Sequence, residues 1–259
     1  VALLPRRRAP LLIVIVALGL AAASVGSSAR ISHYSALEEA KAFGEAGRGW
    51  IDAVGLDASV ALLDTGDREW PIVPRTAFWN RRVVTLARLP GAHGSGAIPQ
   101  AAVAPDARGV LRSSSGRGLA ESYVVAPTGA TLEGEKLAEI PPTSVAAGLA
   151  LWQVTAPARL ESLTVGLGAN GDFASPVQVT VFGCAPGRLE LTLLGKSGRP
   201  IAISANGIPR QVVAPAPDGL WQGGVQAPPN VDGSSPCVFE LTPEGLAGST
   251  RIEYVPDPA

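Results

Sequence analysis

The sequence predicts an α+β protein made of an N-terminal transmembrane helix, a small α/β layer and a C-terminal β-sandwich. Three observations predict it. Residues 9–29 form an uncharged run of 21 behind Arg6-Arg7-Arg8. A helix signal followed by short apolar runs occupies the stretch to about residue 156. From Arg159 onward, strand-like runs recur about every 10 residues, with turn clusters between them and no helical period. The expected divisions are 1–29 (basic flank and membrane helix), 30–157 (exported α/β domain) and 158–259 (β-sandwich).

The first segment is long enough to cross a bilayer. At about 1.5 Å rise per residue, 21 residues span a hydrocarbon layer of roughly 30 Å. Nine of the residues in this run are Leu, Ile or Val, contributing roughly −3 to −5 kcal/mol to insertion. The Arg triplet lies on one flank only, so the positive-inside bias keeps that flank cytoplasmic and sends the rest outside. A cleavable signal peptide fits the same residues, with a basic start, an apolar stretch from Leu11 to Ala23 and small residues at 21–23 or 27–29. The two readings share an export route and differ on anchoring. Val1-Ala2-Leu3-Leu4-Pro5 looks like the end of an earlier span, and the chain has no Met, so a piece of a longer product is expected. The expected location is the cell membrane, as a single span with the C-terminal region extracytoplasmic.

Beyond residue 29 the chain keeps 230 residues, enough for one large or two small cored domains. That part retains 18 of the 21 basic residues and all 22 acidic ones, a net charge of −4. This argues against a nucleic-acid partner. The lipid bilayer is the expected partner. Aromatic residues make up only 5%, thin for a sugar-stacking platform. Cys184 and Cys237 are an even pair in an exported chain, and a disulfide between them is expected.

The elements follow in order. Ser35-Ala-Leu-Glu38 is a capping-box pattern, and Leu37, Ala40, Phe43, Ile51 and Val54 continue a helical stripe to Gly55. Gly44, Gly47 and Gly49 weaken it, each by up to about 1 kcal/mol relative to Ala. Residues 58–63 read as a buried strand ending in the turn cluster Asp64-Thr-Gly-Asp67. Further strands are expected at 82–86, 122–126 and 149–154, the last two stopped by Pro127 and Pro157. In the tail, strands are expected at 163–167, 177–182, 189–194, 201–205, 211–214, 237–241 and 251–255. Val177, Val179 and Val181 alternate with Gln178 and Thr180, as a half-buried strand should. Seven such strands indicate a sandwich.

The chemical inventory is short. The glycine runs near residues 94 and 116 lack the Lys-Ser/Thr of a phosphate-binding loop, and no nucleophile elbow occurs. His33 reads as an interfacial polar residue and His93 as a loop residue. Asp64 and Asp67 could hold a cation but are better explained by turn formation. Asp52 and Asp57 read as surface charge, and Glu38 and Glu39 as helix-start acids. Trp79 and Trp152 are expected in the core. Trp221, in Asp218-Gly-Leu-Trp-Gln-Gly-Gly224, is expected exposed in a glycine-rich loop, as a possible ligand contact. No catalytic residue, cofactor or metal ligand is assigned.

Several phrases carry a resemblance: Thr76-Ala-Phe-Trp-Asn-Arg-Arg-Val83, Ser122-Tyr-Val-Val-Ala-Pro127, Gly148-Leu-Ala-Leu-Trp-Gln-Val-Thr-Ala-Pro-Ala-Arg-Leu160 and Gly166-Leu-Gly-Ala-Asn-Gly-Asp-Phe173. Their order resembles the C-terminal region of bacterial GT-C type membrane glycosyltransferases, related to the dolichyl-phosphate-mannose protein mannosyltransferases. Ala77 and Gln153 depart from the acidic residue and the Arg of those phrases. The resemblance implies a last membrane helix plus an exported tail, with the catalytic acids of the family elsewhere. Such a tail would be non-catalytic, would shape the acceptor side, and would meet lipid-linked sugar or envelope glycan through its parent enzyme. A self-standing anchored or secreted binding module of the envelope is the competing reading. A soluble hydrolase is disfavoured.

Overall fold

A computed structural model describes residues 37, 40–66, 72–92, 99–143, 148–168, 170–229 and 231–258. The expected membrane segment, His33, Glu38, Glu39, Asp67 and His93 lie outside the described residues. Among the described residues no helix is long and apolar enough to cross a membrane.

The described chain is mostly β-sheet, in two parts. The first is a seven-stranded sheet in the order β4-β3-β2-β1-β5-β8-β7. Its strands are β1 (Val60–Asp64), β2 (Val83–Arg88), β3 (Gln100–Pro105), β4 (Leu111–Ser113), β5 (Tyr123–Pro127), β7 (Gly134–Ile140) and β8 (Leu149–Val154). β3, β2, β1 and β5 run parallel, and antiparallel strands complete both edges. Alternation along β1 sends Val60 and Leu62 to one face and Ala61 and Leu63 to the other, and all four are fully buried. A strand covered on both faces reads as a continuous apolar run, and this one does.

The helices are shorter than the sequence stripe suggests. Residues 40–43 are helical and run into a 3-10 turn at Gly44–Ala46, and α1 is only Trp50–Ala53. Gly44 and Gly47 take φ of 55° and 72°, so two of the suspected glycines end the helix rather than merely weaken it. A second helix, α2 (Ile72–Trp79), was not expected. Pro74 lies in its first turn, where a proline removes no hydrogen bond. Phe43, Trp50, Ile51, Ile72, Val73 and Ala77 pack onto the Val60–Leu62 face.

The second part is the sandwich. Six strands, β14-β13-β16-β11-β9-β6, face four, β10-β17-β12-β15. These are β6 (Ala130–Leu132), β9 (Leu160–Val165), β10 (Asp172–Phe173), β11 (Val177–Val181), β12 (Gly187–Leu194), β13 (Ile201–Ala205), β14 (Ile208–Val213), β15 (Leu220–Gln226), β16 (Cys237–Pro243) and β17 (Ala247–Pro256). Val177, Val179, Val181, Leu189, Leu191, Ile203, Phe239 and Leu241 fill its core. The expected inward alternation of β11 is present.

The seam expected at 157/158 is crossed by a strand. β6 precedes it in the chain yet pairs with β9 beyond it. Leu111, Leu119, Ala130, Leu132, Ala158 and Leu160 then share one apolar cluster with Ala61 and Leu63. Cys184 and Cys237 are bonded, with Cα atoms 5.6 Å apart, and both are buried. Cys237 is paired with Val181 across adjacent strands, so the bridge ties the loop after β11 to the start of β16 within one sheet.

Candidate functional site

The edge of the sandwich formed by β14 and β15 gathers the most exposed apolar surface with polar side chains. Its geometry starts from a hairpin. Asn206 and Gly207 take φ of 50° and 74°, the left-handed pair that a tight two-residue hairpin requires. The Asn206 side chain accepts a hydrogen bond from the Val238 amide at 2.8 Å, which pins the turn to β16. Among the described residues β14 then pairs only with β13, leaving its outer edge free. The chain crosses between the sheets through residues 214–219, held where Asp218 N donates to the Gly195 carbonyl at 2.8 Å. Among the described residues β15 pairs only with β12 and forms the free edge of the other sheet. The two free edges touch.

Ile208, Val212 and Leu220 on these strands are 53%, 69% and 56% exposed. Beside them a groove of 330 Å³ runs over the outer face of β13, β14 and β16, lined by Ala202, Ser204, Pro209, Arg210, Gln211, Val212 and Thr242. Ala202 and Ser204 form its floor because a small outward residue on β13 leaves space between the strands. Thr242 donates to Glu240 at 3.1 Å, while no polar partner holds the Gln211 side chain among the described residues. The groove can present donors and acceptors to an extended polar ligand, with Val212 and Pro209 as apolar contacts.

Trp221 is the one expected contact residue in this region, and its setting differs from the expectation. It lies in β15, not in a loop, and is half-buried against the sandwich core. Trp221 and Val225 face inward because strand alternation puts 221, 223 and 225 on one face. The indole lies over Gly223, where an added Cβ would sit 2.5 Å from the ring. Gly223 and Gly224 looked like loop glycines in sequence, but both lie in a strand, where Gly223 makes room for the ring and Gly224 for the Arg188 side chain.

The other singled-out residues do not join this site. Asp64 is buried at the end of β1 and accepts from the Gly66 amide at 3.0 Å, a turn role. Asp52 is more than surface charge: its carboxylate accepts from the amides of Arg81 and Arg82 at 3.0 and 3.1 Å. Asp57 is exposed and faces Arg82. Trp79 is only half-buried, with the Arg48 guanidinium 3.7 Å above its ring. Trp152 is half-buried in β8. Among the described residues no cluster of three or more His, Cys, Asp or Glu could hold a metal.

Two shifted groups have structural causes. Burial pushes the Glu161 carboxyl up, Glu133 beside it adds to this, and Arg159 opposes it. Burial also raises the Tyr254 phenol, whose hydroxyl donates to the Ala185 carbonyl next to the disulfide. Neither group lines the groove.

No family model matches this chain, and no curated protein matches it. Among solved structures, two variants of a family 29 carbohydrate-binding module are each 12% identical, with TM-scores of 0.21. The alignments cover 49% of this chain and 90% and 91% of the two modules. A family two carbohydrate esterase from Cellvibrio japonicus is 13% identical over 53% of this chain and 36% of its own, with a TM-score of 0.21. At that TM-score the likeness assigns no role to any residue here.

Proposed function

We propose that this chain is the exported, non-catalytic C-terminal part of a membrane glycosyltransferase that uses lipid-phosphate-linked sugar, and that its β14–β15 edge holds the glycan acceptor. The observation that carries this is that Ile208, Val212 and Leu220 lie exposed on two touching edge strands, beside a largely apolar groove that also carries Arg210, Gln211 and Thr242. Exposed apolar surface rimmed by polar groups marks interaction sites. The uncharged segment 9–29 and the Cys184–Cys237 bond suit an exported chain. The phrases Ala77-Phe-Trp-Asn80 and Gly148-Leu-Ala-Leu-Trp152 support the parent enzyme by resemblance.

The test is affinity electrophoresis of the full chain in detergent through gels containing soluble mannan, galactan, arabinan or glucan. Retardation by at least one of them, weakened by Val212→Asp, supports the reading. Equal mobility in all gels, or turnover of a lipid-phosphate sugar by the chain alone, overturns it.

A further inference from the structure

The first sheet carries a second groove, on the same face as its helices: Arg88 alternates with Ala87 onto the side of Leu62 and Leu86. It lies over β2, β3 and β4 and has a volume of 320 Å³, with Arg88 and Arg112 among its lining residues. Register places both on one face. Arg88 pairs with Ala102, and Arg112 pairs with Ala104, two residues further along β3. Leu89, Val103 and Leu111 point the opposite way, into the buried cluster. The two Arg Cα atoms are thus about 12 Å apart, from two strand spacings of about 4.8 Å and two residues of about 3.3 Å. Long side chains on that separation can converge over the exposed alanine floor.

Both guanidinium groups keep donors in hand. Arg88 Nη1 donates to Gln100 Oε1 at 2.9 Å, but Arg88 Nε is buried and has no acceptor among the described residues. Arg112 Nε donates to Asp106 at 3.0 Å and Nη1 to the Gly116 carbonyl at 3.4 Å, which leaves Nη2. The neighbouring acid on β1, Asp64, accepts the Gly66 amide instead. A buried donor on a permanently charged group is costly when unmade, so an acceptor is expected there. The place also matters: Arg88 ends β2, and ligands of open parallel sheets gather at the carboxyl ends of the strands.

We infer that Arg88 and Arg112 form a binding site for an oxyanion, a phosphate or carboxylate group carried by a ligand. Guanidinium forks suit both groups because each offers paired oxygens to parallel N–H donors. The site lies on a different sheet from the β14–β15 edge and does not depend on the acceptor reading.

The experiment is calorimetric titration of the full chain in neutral detergent at low salt, with inorganic phosphate and, separately, glucuronate. Saturable binding in the millimolar range or tighter is expected for at least one anion, falling about tenfold or more in Arg88→Gln and in Arg112→Gln. Arg210→Gln, in the other groove, should bind as the parent does. Repeating the titration in neutral detergent micelles doped with phosphatidylglycerol separates the sources: phosphate binding that the lipid displaces assigns a lipid headgroup, and phosphate or glucuronate binding unaffected by the lipid assigns a soluble ligand. Arg88→Lys and the exposed Arg112→Gln carry the test if Arg88→Gln fails to fold. No saturable binding of either anion, or binding unchanged in the folded Arg variants, overturns the site.

Discussion

Asn80 and Asp52 tie the start of α1 to the segment that follows α2 from both sides. The Asn80 side-chain oxygen accepts from the amides of Ile51 and Asp52 at 3.0 and 3.3 Å, and the Asp52 carboxylate accepts from Arg81 and Arg82. The Asn80 amide group also donates to the carbonyls of Arg48 and Thr76 at 2.9 and 2.8 Å. One buried side chain therefore satisfies the open amides at the start of α1 and a carbonyl of α2. It fixes both short helices on the sheet before β2 begins.

Asn80→Ala should destabilise the fold by about 3 kcal/mol, because it orphans buried backbone groups as well as losing hydrogen bonds. Asp52→Ala should cost only about 1 kcal/mol, since the amides it serves are exposed. Urea denaturation monitored by circular dichroism measures both. An Asp52→Ala loss equal to the Asn80→Ala loss would refute this ordering.

The fold was legible where burial alone decides and illegible where special contacts decide. The apolar run at Val60–Leu63 and the alternation of β11 follow from one- and two-sided burial, which leaves a direct mark on hydrophobic pattern. α2 was missed because Pro71 and Pro74 look like helix breakers, although a first-turn proline is harmless. β7 was missed because Gly134-Glu-Lys136 is polar on an edge strand, where exposure erases the apolar signal, and β6 because three residues are too short to show a period. Asn80 carries no periodic signature, because three of its four backbone partners lie 28 or more residues away. Trp221 was misplaced for a related reason: glycines that seat a ring in a strand have the same letters as loop glycines.

The turn between β3 and β4 docks on the sandwich through Gly109. Its carbonyl accepts the Leu160 amide at 2.9 Å, its φ is 86°, and a Cβ there would lie 1.9 Å from the Leu160 oxygen. Gly109→Ala combines left-handed strain with a backbone clash, for an expected loss of about 3 kcal/mol. Gly116→Ala, at φ 79° with open space around it, should cost only about 1 kcal/mol. Comparable losses in differential scanning calorimetry would count against the docking role.

The disulfide closes a loop with a sequence separation of 53. In the chain-entropy picture a loop of this size contributes roughly 4 kcal/mol. The double variant Cys184→Ala, Cys237→Ala should therefore shift the urea midpoint strongly, and the loss should match that of the reduced parent within about 1 kcal/mol. If reduction leaves the midpoint in place, the bond does not stabilise the sandwich.

Asp106 links the same turn to the oxyanion groove. Burial pushes its carboxyl up, but hydrogen bonds from Arg112 and from the amides of Val110 and Arg108 outweigh this and hold it below the usual carboxylate range. A lowered folded pKa gives stability that is present above the unfolded value and is lost as pH falls through the folded one. Asp106→Asn should cost up to about 1 kcal/mol near neutrality, given its partial exposure. The gap between parent and variant should close as acid protonates the parent carboxyl. A gap that widens towards low pH would contradict the sign.

The β14–β15 edge can be tested without disturbing the core. Val212 is 69% exposed, so Val212→Asp should change stability by no more than about 0.5 kcal/mol. If the edge holds glycan, that charge would sit in the apolar strip and reduce retention on a polysaccharide gel without moving the melting temperature. Trp221 behaves differently because it is half-buried over Gly223. Trp221→Ala should lose about 2 kcal/mol of stability along with any binding, whereas Trp221→Phe should keep most of both. Phe78, 73% exposed on α2 of the other sheet, is the matched control. Phe78→Ser should leave retention untouched. Retention that falls with Phe78→Ser but survives Val212→Asp would move the binding surface to the first sheet and sink the edge assignment.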